Sequence, residues 1–237
     1  MSFSGRSRHV AVALLIGLGT VSASPTTDKV RACPDPAVDT FERQTLGSNW
    51  AIHNGDLGIV DGRALGVLSK SGRMLGLGIA TWNATFAADQ FSEAVIAPGI
   101  DPKSFAQVFV RRRSRDAQRY GFHWSGQWQI KRDGGFAAPV LATAAGPTPT
   151  PGDTIRIEAA GSVIRGFHNG VEVIRANDSV LTEPGQPGVA LNVVAVTVFP
   201  TPFFKMWRGG SLKPRRLGTP PLDPARMAWV AHGGKGQ

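Results

Sequence analysis

The chain has 237 residues and a formal net charge of +9. This length suits one β-sandwich of ordinary size, which can bury a core without disulfide bonds. The single cysteine, Cys33, excludes an intrachain disulfide, and we expect a free thiol there, with pairing to another chain as the alternative.

The positive charge is unevenly distributed along the chain. Residues 208–237 hold six cations against one acid, whereas residues 24–207 hold 18 cations against 16 acids and so have a net charge of +2. A nearly balanced body argues against a nucleic-acid-binding domain. The basic tail is suited instead to contact with an acidic surface.

Residues 1–23 have the features of a secretory signal peptide. Arg6 and Arg8 form a positive segment, an apolar run extends from Val10 to Leu18, and Val21-Ser22-Ala23 supplies small residues for cleavage. The alternative is a membrane anchor, but a membrane-spanning helix needs ~20 apolar residues, and this run is too short. We expect a secreted protein, extracellular or periplasmic, with no membrane span after signal removal.

Strand signals follow one another between Asp39 and Trp207, after a polar lead-in at residues 24–38. Ile155 and Ile157 alternate with polar neighbours, which is the period of a strand with one solvated face. Asn169-Gly170 tolerates the positive φ that a two-residue hairpin turn requires. In chain order, the sequence predicts strands at Trp50–His53, Leu57–Val60, Arg63–Val67, Gly78–Trp82, Gln90–Ala97, Phe105–Arg112, Tyr120–Trp124, Trp128–Arg132, Val140–Thr143, Thr154–Ala159, Val163–His168, Val171–Arg175, Val189–Val194 and Phe203–Trp207.

Many short strands with little helical periodicity predict an all-β protein, a two-sheet antiparallel sandwich at residues 39–207. The strand number argues against an immunoglobulin-like sandwich, which has fewer strands and a shorter chain. Residues 208–237 are rich in Gly, Pro and Arg, and we expect a disordered tail there.

The succession of these segments resembles the concanavalin A-like lectin/glucanase superfamily, in particular small secreted LamG-like jelly-roll domains of bacteria. The matching segments keep their order and spacing; they are Asp39–Val67, Ala80–Ile96, Phe109–Arg132, Pro151–Val173 and Phe203–Leu212. The resemblance implies two antiparallel sheets packed face to face, one of them concave. It also implies glycan, polysaccharide or protein ligands at the concave face or its rim loops.

Enzymatic chemistry finds little support in the residues. A retaining glycosidase needs two carboxylates about 5 Å apart, and related laminarinase-type enzymes supply them on a Glu-x-Asp-x-x-Glu strand. That spacing does not occur in this sequence. There is also no Gly-x-Ser-x-Gly elbow, and the histidines lack metal-ligand spacing. An enzyme remains an alternative only if its carboxylates meet in three dimensions.

The hairpin at Tyr120–Lys131 is the candidate ligand site. Sugar binding combines aromatic faces with amides and charges, and this hairpin together with Trp82 offers both. If Tyr120, Phe122 and Trp124 form core instead, then His123 and the row from Gln127 to Lys131 lie on the opposite face. A hydrogen-bonded structural role is the alternative for His123. The predicted ligand-binding residues are Trp82, Arg111, His123, Gln127, Trp128, Gln129 and Lys131.

The arginine run at residues 111–115 has two interpretations. It is either an anion site, for acidic polysaccharide, lipopolysaccharide phosphate or nucleic acid, or a strand end that enters a solvated loop. Strict alternation sends Arg111 and Arg113 to one face and Arg112 to the other, which favours the second interpretation.

The only cofactor that the resemblance implies is a structural Ca²⁺ ion. Asp39, near the first strand, is the oxygen ligand that such a site would use together with backbone carbonyls. The sequence as a whole predicts a secreted, non-catalytic module that binds carbohydrate or another surface ligand. The alternatives are a glycoside hydrolase or polysaccharide lyase on the same scaffold, and a structural adhesion module whose basic tail contacts an acidic surface.

Overall fold

The computed structural model describes residues 36–68, 77–98, 105–134, 138–192 and 201–213. The predicted signal peptide, Cys33 and the tail from residue 214 onward lie outside these residues, as do the last two positions of the strand predicted at Val189–Val194. All the described residues belong to one unit, Cys33–Gln237. None of them forms a helix long and apolar enough to cross a membrane.

The regular structure of the described residues is β-strand throughout. The strands in chain order are β1 Ala37–Asp39, β2 Trp50–Asn54, β3 Leu57–Val60, β4 Ala64–Val67, β5 Leu77–Trp82, β6 Gln90–Ile96, β7 Phe105–Arg112, β8 Arg119–Trp124, β9 Trp128–Asp133, β10 Val140–Ala144, β11 Thr154–Ala160, β12 Val163–His168, β13 Val171–Asn177, β14 Gln186–Asn192 and β15 Thr201–Ser211. Each predicted strand overlaps one of these, and the all-β prediction is confirmed. Only β1 was missed, because three residues are too few to show a period.

The strands form two antiparallel sheets. Sheet I has the order β13-β12-β11-β6-β15-β4-β3, with β1 also paired to β15, and sheet II has the order β10-β9-β8-β7-β14-β5-β2. Consecutive strands pair as hairpins towards one end of each sheet. The late strands β14 and β15 instead pair with strands from the first half of the chain. This is the two-sheet jelly-roll sandwich that the sequence predicts.

Alternation along the strands gives each sheet an apolar inner face. On β11, Ile155 and Ile157 are buried in the core, whereas Arg156 between them faces outward. On β8, Tyr120 and Phe122 are fully buried against the opposite sheet. The two apolar faces are therefore covered only when the sheets pack together, which removes both from water.

The Asn169-Gly170 hairpin has the predicted geometry. The φ angles are 50° at Asn169 and 79° at Gly170, so both central residues occupy the left-handed region that a two-residue turn needs. The turn links β12 to β13, and these strands pair from His168 and Val171 onward.

The sandwich extends beyond both predicted boundaries. β1 begins at Ala37 rather than Asp39, and β15 continues to Ser211 rather than ending at Trp207. Gly209, which the sequence analysis assigned to the tail, pairs with Ala37. A Cβ at this position would lie 2.4 Å from the Trp207 ring, so the glycine reflects close packing within a strand and not a loop.

Candidate ligand-binding site

The outer face of sheet II, here called face II, carries a continuous row of polar side chains. The row crosses the neighbouring strands β2, β5, β14, β7, β8 and β9, a width of about 24 Å at the usual strand spacing. Alternation, together with bulges in β2 and β7, turns these side chains away from the core. They are His53, Thr81, Gln186, Gln107, Arg112, Arg119, His123, Gln129, Lys131 and Asp133, and the apolar ring of Phe109 lies among them.

Arg112 and Arg119 form the cationic part of face II. Each residue is only 8% exposed, and burial lowers the pKa of both guanidinium groups. The charge of Arg112 lowers the pKa of Arg119 further, although Asp133 acts in the opposite direction. Among the described residues, the guanidinium of Arg112 has no hydrogen bond or ion pair. The guanidinium of Arg119 donates one weak hydrogen bond, from Nη1 to the carbonyl oxygen of Ala117 at 3.4 Å, and Nε has no partner.

An aromatic ring supports this part of the face. Phe109 is fully buried but lies outside the core cluster, because it points away from sheet I. The Cζ atom of Arg119 is 5.1 Å from the centre of the Phe109 ring, which is a cation–π distance. Gly188 leaves room for the ring, since a Cβ there would lie 2.7 Å from Cζ of Phe109. The ring therefore orients the Arg119 guanidinium on face II.

A second polar group lies on β7, β8 and β9. Nε2 of Gln107 donates to Oδ2 of Asp133 at 2.8 Å and lies 3.3 Å from Nδ1 of His123. Nζ of Lys131 is 3.8 Å from Oδ1 of Asp133. The amide of Gln107 occupies the space above Gly121, where a Cβ would lie 2.3 Å from its nitrogen. These contacts tie the single carboxylate of the group to two donors.

The imidazole of His123 is neutral at neutral pH. Burial lowers its pKa to about 4, and the nearby Lys131 charge contributes in the same direction, while Asp133 opposes the change. A neutral imidazole both donates and accepts a hydrogen bond. His123 is therefore suited to a polar, uncharged group of a ligand.

His53, Thr81 and Gln186 form the opposite end of the row. Nε2 of His53 is 2.8 Å from Oγ1 of Thr81, and this hydroxyl donates weakly to Oε1 of Gln186 at 3.5 Å. Burial lowers the pKa of His53, and the charges of Arg112 and Arg119 lower it further. The His53 ring therefore lies within electrostatic reach of both arginines.

Three of the predicted ligand-binding residues do meet on face II. His123 lies opposite Gln129 in the β8–β9 pairing, and Lys131 lies opposite Gly121. Gln127 lies elsewhere, in the exposed hairpin turn, where its carbonyl accepts a 2.9 Å hydrogen bond from the backbone N–H of Ser125.

Trp82 and Trp128 are buried in the core, which contradicts their predicted ligand-binding role. Trp82 stacks on Trp207 at 5.3 Å between ring centres, and Trp128 stacks on Phe122 at 5.0 Å. Neither indole has a free face for a sugar. The alternative interpretation, in which the hairpin aromatics form core, is the correct one.

Arg111 is also structural, and a β-bulge explains why. Its φ is 54°, and the β7–β14 register shifts at this point. Its guanidinium donates to the carbonyl oxygens of Ala88, Gly161 and Leu181 at 2.6, 2.7 and 2.7 Å. A regular strand would turn Arg111 outward and Arg112 inward. The bulge reverses the two, so that Arg112 takes the place on face II that was predicted for Arg111.

Asp39 has no oxygen free for a calcium ion. Its Oδ1 accepts from the backbone N–H of Phe41 at 2.8 Å, and its Oδ2 accepts from Nε1 of Trp50 at 2.7 Å. Arg43 also donates to both oxygens. Burial raises the pKa of Asp39, but the hydrogen bonds from Arg43 and Trp50 hold it below its usual value. Calcium would have to displace a guanidinium, so the predicted role of Asp39 is corrected to a structural one.

In the parts of the chain that the structure describes, no group of three or more His, Cys, Asp or Glu side chains could hold a metal ion.

Sequence analysis missed His53, Gln107, Arg112 and Arg119 as members of the site. The arginine run did point to the region, but strict alternation selected the wrong arginine. Arg119 was overlooked because the strand was predicted to begin one residue later, at Tyr120. His53 and Gln107 have no distinctive sequence neighbours, and only strand pairing brings them onto face II.

Comparison with solved structures supports the fold. A β-glucanase of Bacillus licheniformis matches at 11% identity with a TM-score of 0.53, covering 75% of this chain and 99% of that one. The endo-β-1,3-glucanase of Pyrococcus furiosus matches at 13% identity with a TM-score of 0.53, covering 73% and 92%. A protein of unknown function with a galectin-like fold from Bacillus subtilis matches at 11% identity with a TM-score of 0.53, covering 73% and 92%. The sequence matches no protein-family model and no curated protein.

These similarities define a class of fold. The protein is a concanavalin A-like jelly-roll sandwich, the architecture shared by glucanases and galectin-like proteins. Identities this low establish the fold alone, so the function has to be argued from face II.

Proposed function

We propose that this protein is a secreted, non-catalytic module that binds glycans on face II. The observation that carries the proposal is the row of amide, imidazole and guanidinium groups across one sheet of a jelly-roll sandwich. Such donors recognise hydroxyl and oxyanion groups, and a sheet face of this width accommodates an extended ligand. Secretion rests on the signal-like sequence at residues 1–23.

The scarcity of carboxylates on sheet II supports binding rather than hydrolysis. Asp133 is the one acidic residue on the described strands of sheet II, and hydrolysis by the usual mechanisms requires two carboxyl groups. On β7, the outward positions Gln107, Phe109 and Arg112 have the spacing of a Glu-x-Asp-x-x-Glu strand. They provide an amide, an aromatic ring and a guanidinium, none of which acts as nucleophile or acid in that chemistry.

A polysaccharide lyase is the second candidate, favoured by the neutral histidines. Elimination from a uronic acid needs a base and a positive group beside the sugar carboxylate. The pKa of His123 is lowered to about 4 by burial, so this imidazole is unprotonated at neutral pH, although so low a pKa makes it a weak base. His53 has a lowered pKa for the same primary reason and lies near Arg112 and Arg119.

A glycan array with the purified mature protein tests the proposal. We expect binding to at least one polysaccharide class, with Gln129→Ala weakening it while the melting temperature stays unchanged, because a partly exposed amide leaves no buried partner unsatisfied. Lys205→Ala, on sheet I, is the matched control and should bind like wild type. Loss of binding in Lys205→Ala but not in Gln129→Ala would move the site to the other sheet.

Incubation with the bound polysaccharide separates binding from catalysis. A binding module leaves the chain length unchanged. Release of reducing ends without unsaturated, ultraviolet-absorbing ends would identify a hydrolase, and release of both kinds of end would identify a lyase.

A further inference from the structure

Arg112 and Arg119 have an unusual environment for buried arginines. Burying a cation without a partner is costly, so buried guanidinium groups in proteins are normally paired or hydrogen-bonded. Arg111, their neighbour, follows this rule through three carbonyl contacts. Within the described residues, the guanidinium of Arg112 lacks any such contact. That of Arg119 makes only one weak hydrogen bond, from Nη1 to the carbonyl oxygen of Ala117 at 3.4 Å, and none from Nε. The fold therefore holds two buried positive charges that form no ion pair among the described residues.

The neighbouring carboxylates form no ion pair with the two arginines among the described residues, although Asp133 lies opposite Arg119 in the β8–β9 pairing and opposes the lowering of its pKa by burial. Asp133 is held by Gln107 at 2.8 Å and by Lys131 at 3.8 Å, and it forms no ion pair with Arg119 among the described residues. Glu183 lines the same cavity as Arg112, of about 420 Å³. Its carboxylate likewise makes no ion pair within the part of the chain that the structure describes.

The two arginines are also held in place. The Phe109 ring lies 5.1 Å from Cζ of Arg119, and the β7 bulge directs Arg112 onto the same face. The charges of Arg112 and Arg119 both lower the pKa of His53, after the larger effect of burial. The two arginines therefore lie near His53, on the same part of face II. Positive groups fixed in advance without a partner are what an anion-binding site requires, because the ligand need not order them.

We infer that Arg112 and Arg119 bind the negative group, a carboxylate or a sulfate ester, of an acidic polysaccharide. This inference rests on the proposed function and names its ligand class. The planar guanidinium matches an oxyanion through two parallel hydrogen bonds. His53, neutral beside the pair, supplies a further hydrogen-bonding group for the same sugar. The neutral polar end of the face, at Gln107 and His123, takes the hydroxyl groups of the adjoining sugars.

Calorimetric titration of the full mature protein tests the inference with three probes of equal length. The probes are a uronic acid oligosaccharide from alginate, a sulfated dextran oligosaccharide and a neutral β-1,3-glucan oligosaccharide. We expect at least one charged probe to bind about 10-fold or more tightly than the neutral one, with an affinity that falls as salt is raised. The stronger of the two charged probes identifies the negative group as carboxylate or sulfate.

Variants of the two arginines test whether they bind the negative group of the charged probe. Arg112→Gln and Arg119→Gln should each weaken the charged probe by about 10-fold or more and leave the neutral probe unchanged. Arg175→Gln, which removes the same charge from the outer face of sheet I, should bind like wild type. If either glutamine variant melts earlier than wild type, Arg112→Lys and Arg119→Lys replace it. These keep the charge but lose the planar fork, so the charged probe should still weaken.

The outcomes separate the inference from the proposed function. Equal affinity for charged and neutral probes overturns the inference and leaves glycan binding standing. Failure to bind any of the three probes counts against both. Tighter binding of a single-stranded oligonucleotide of equal charge than of either charged sugar also overturns the inference, because the ligand is then not a polysaccharide.

Discussion

The two outer faces of the sandwich differ in whether their buried charges are paired. On the outer face of sheet I, here called face I, the buried Glu93 lies between Arg156 at 3.2 Å and Arg208 at 2.5 Å. Arg156 also pairs with Glu158 and lies 3.8 Å from the Phe91 ring centre. Face II has two buried arginines and a single carboxylate that is tied to other groups. Charges that a fold neutralises internally are structural, whereas charges that it leaves unpaired are available to a ligand.

One arginine of face I shows the limit of this contrast. Nε of Arg165 has no hydrogen-bond partner among the described residues. Its side chain remains partly exposed, however, and its charge helps to lower the pKa of Glu172, after the larger effect of the Arg175 hydrogen bond. The desolvation cost is therefore smaller for Arg165 than for Arg112 or Arg119, and the carboxylate of Glu172 lies near Arg165.

The largest expected effect is acid destabilisation that originates on face II. Folding lowers the pKa of His123 from 6.5 to about 4, chiefly through burial. Between these pH values the unfolded chain binds a proton that the folded protein does not. The contribution of His123 to the free energy of unfolding is therefore complete above pH 6.5. The free energy of unfolding should fall by about 3 kcal/mol as the pH drops to 4. Urea unfolding at intervals of pH measures this loss.

Two histidine variants show which sheet causes the loss of stability at acid pH. His123→Gln should show a distinctly smaller loss over the same pH range, whereas His168→Gln, on β12 of sheet I, should keep the full loss. An identical pH profile for wild type and His123→Gln would place the acid sensitivity elsewhere in the chain.

A smaller loss of stability is expected when a buried carboxylate is removed from face I, so that its arginines lose their partner as on face II. Glu93→Gln removes the carboxylate between Arg156 and Arg208 and leaves both without their shared partner. Because Glu93 is buried, we expect a loss of about 2–3 kcal/mol in the free energy of unfolding. Glu172→Gln, which breaks a more exposed pair with Arg175, should cost less than about 1 kcal/mol. Comparable losses in the two variants would show that face I does not depend on its buried carboxylate.

The smallest expected effect has the opposite sign. Arg112→Gln removes a buried, unpaired charge, so the free energy of unfolding should stay unchanged or rise by up to about 1 kcal/mol. The neighbouring Arg111→Gln should lower it by more than about 2 kcal/mol, since three carbonyl groups lose their donor. Equal destabilisation by the two substitutions would mean that Arg112 has a structural partner after all, and chemical denaturation of both variants decides this.

The fold was more predictable from the sequence than the site. Regular alternation on strands such as β11, and the Asn169-Gly170 turn, carry their own local signal, because each depends on neighbours in the chain. Face II depends on non-local pairing and on one irregularity. The bulge at Arg111 exchanges the directions of two consecutive arginines, and residue order alone does not reveal a bulge. Burial of Trp82 depends likewise on Trp207, which is distant in sequence.

An NMR titration of the ¹⁵N-labelled mature protein with the best-binding oligosaccharide decides whether the ligand lies on face II. We predict that the backbone amides with the largest shift changes belong to β7, β8 and β9, around Gln107, Arg112, Arg119 and Gln129. The amides of β6 and β11 on sheet I, around Glu93 and Arg156, should stay nearly unchanged. Shift changes concentrated on β6 and β11, with β7 to β9 unaffected, would place the ligand on face I and overturn the proposed site.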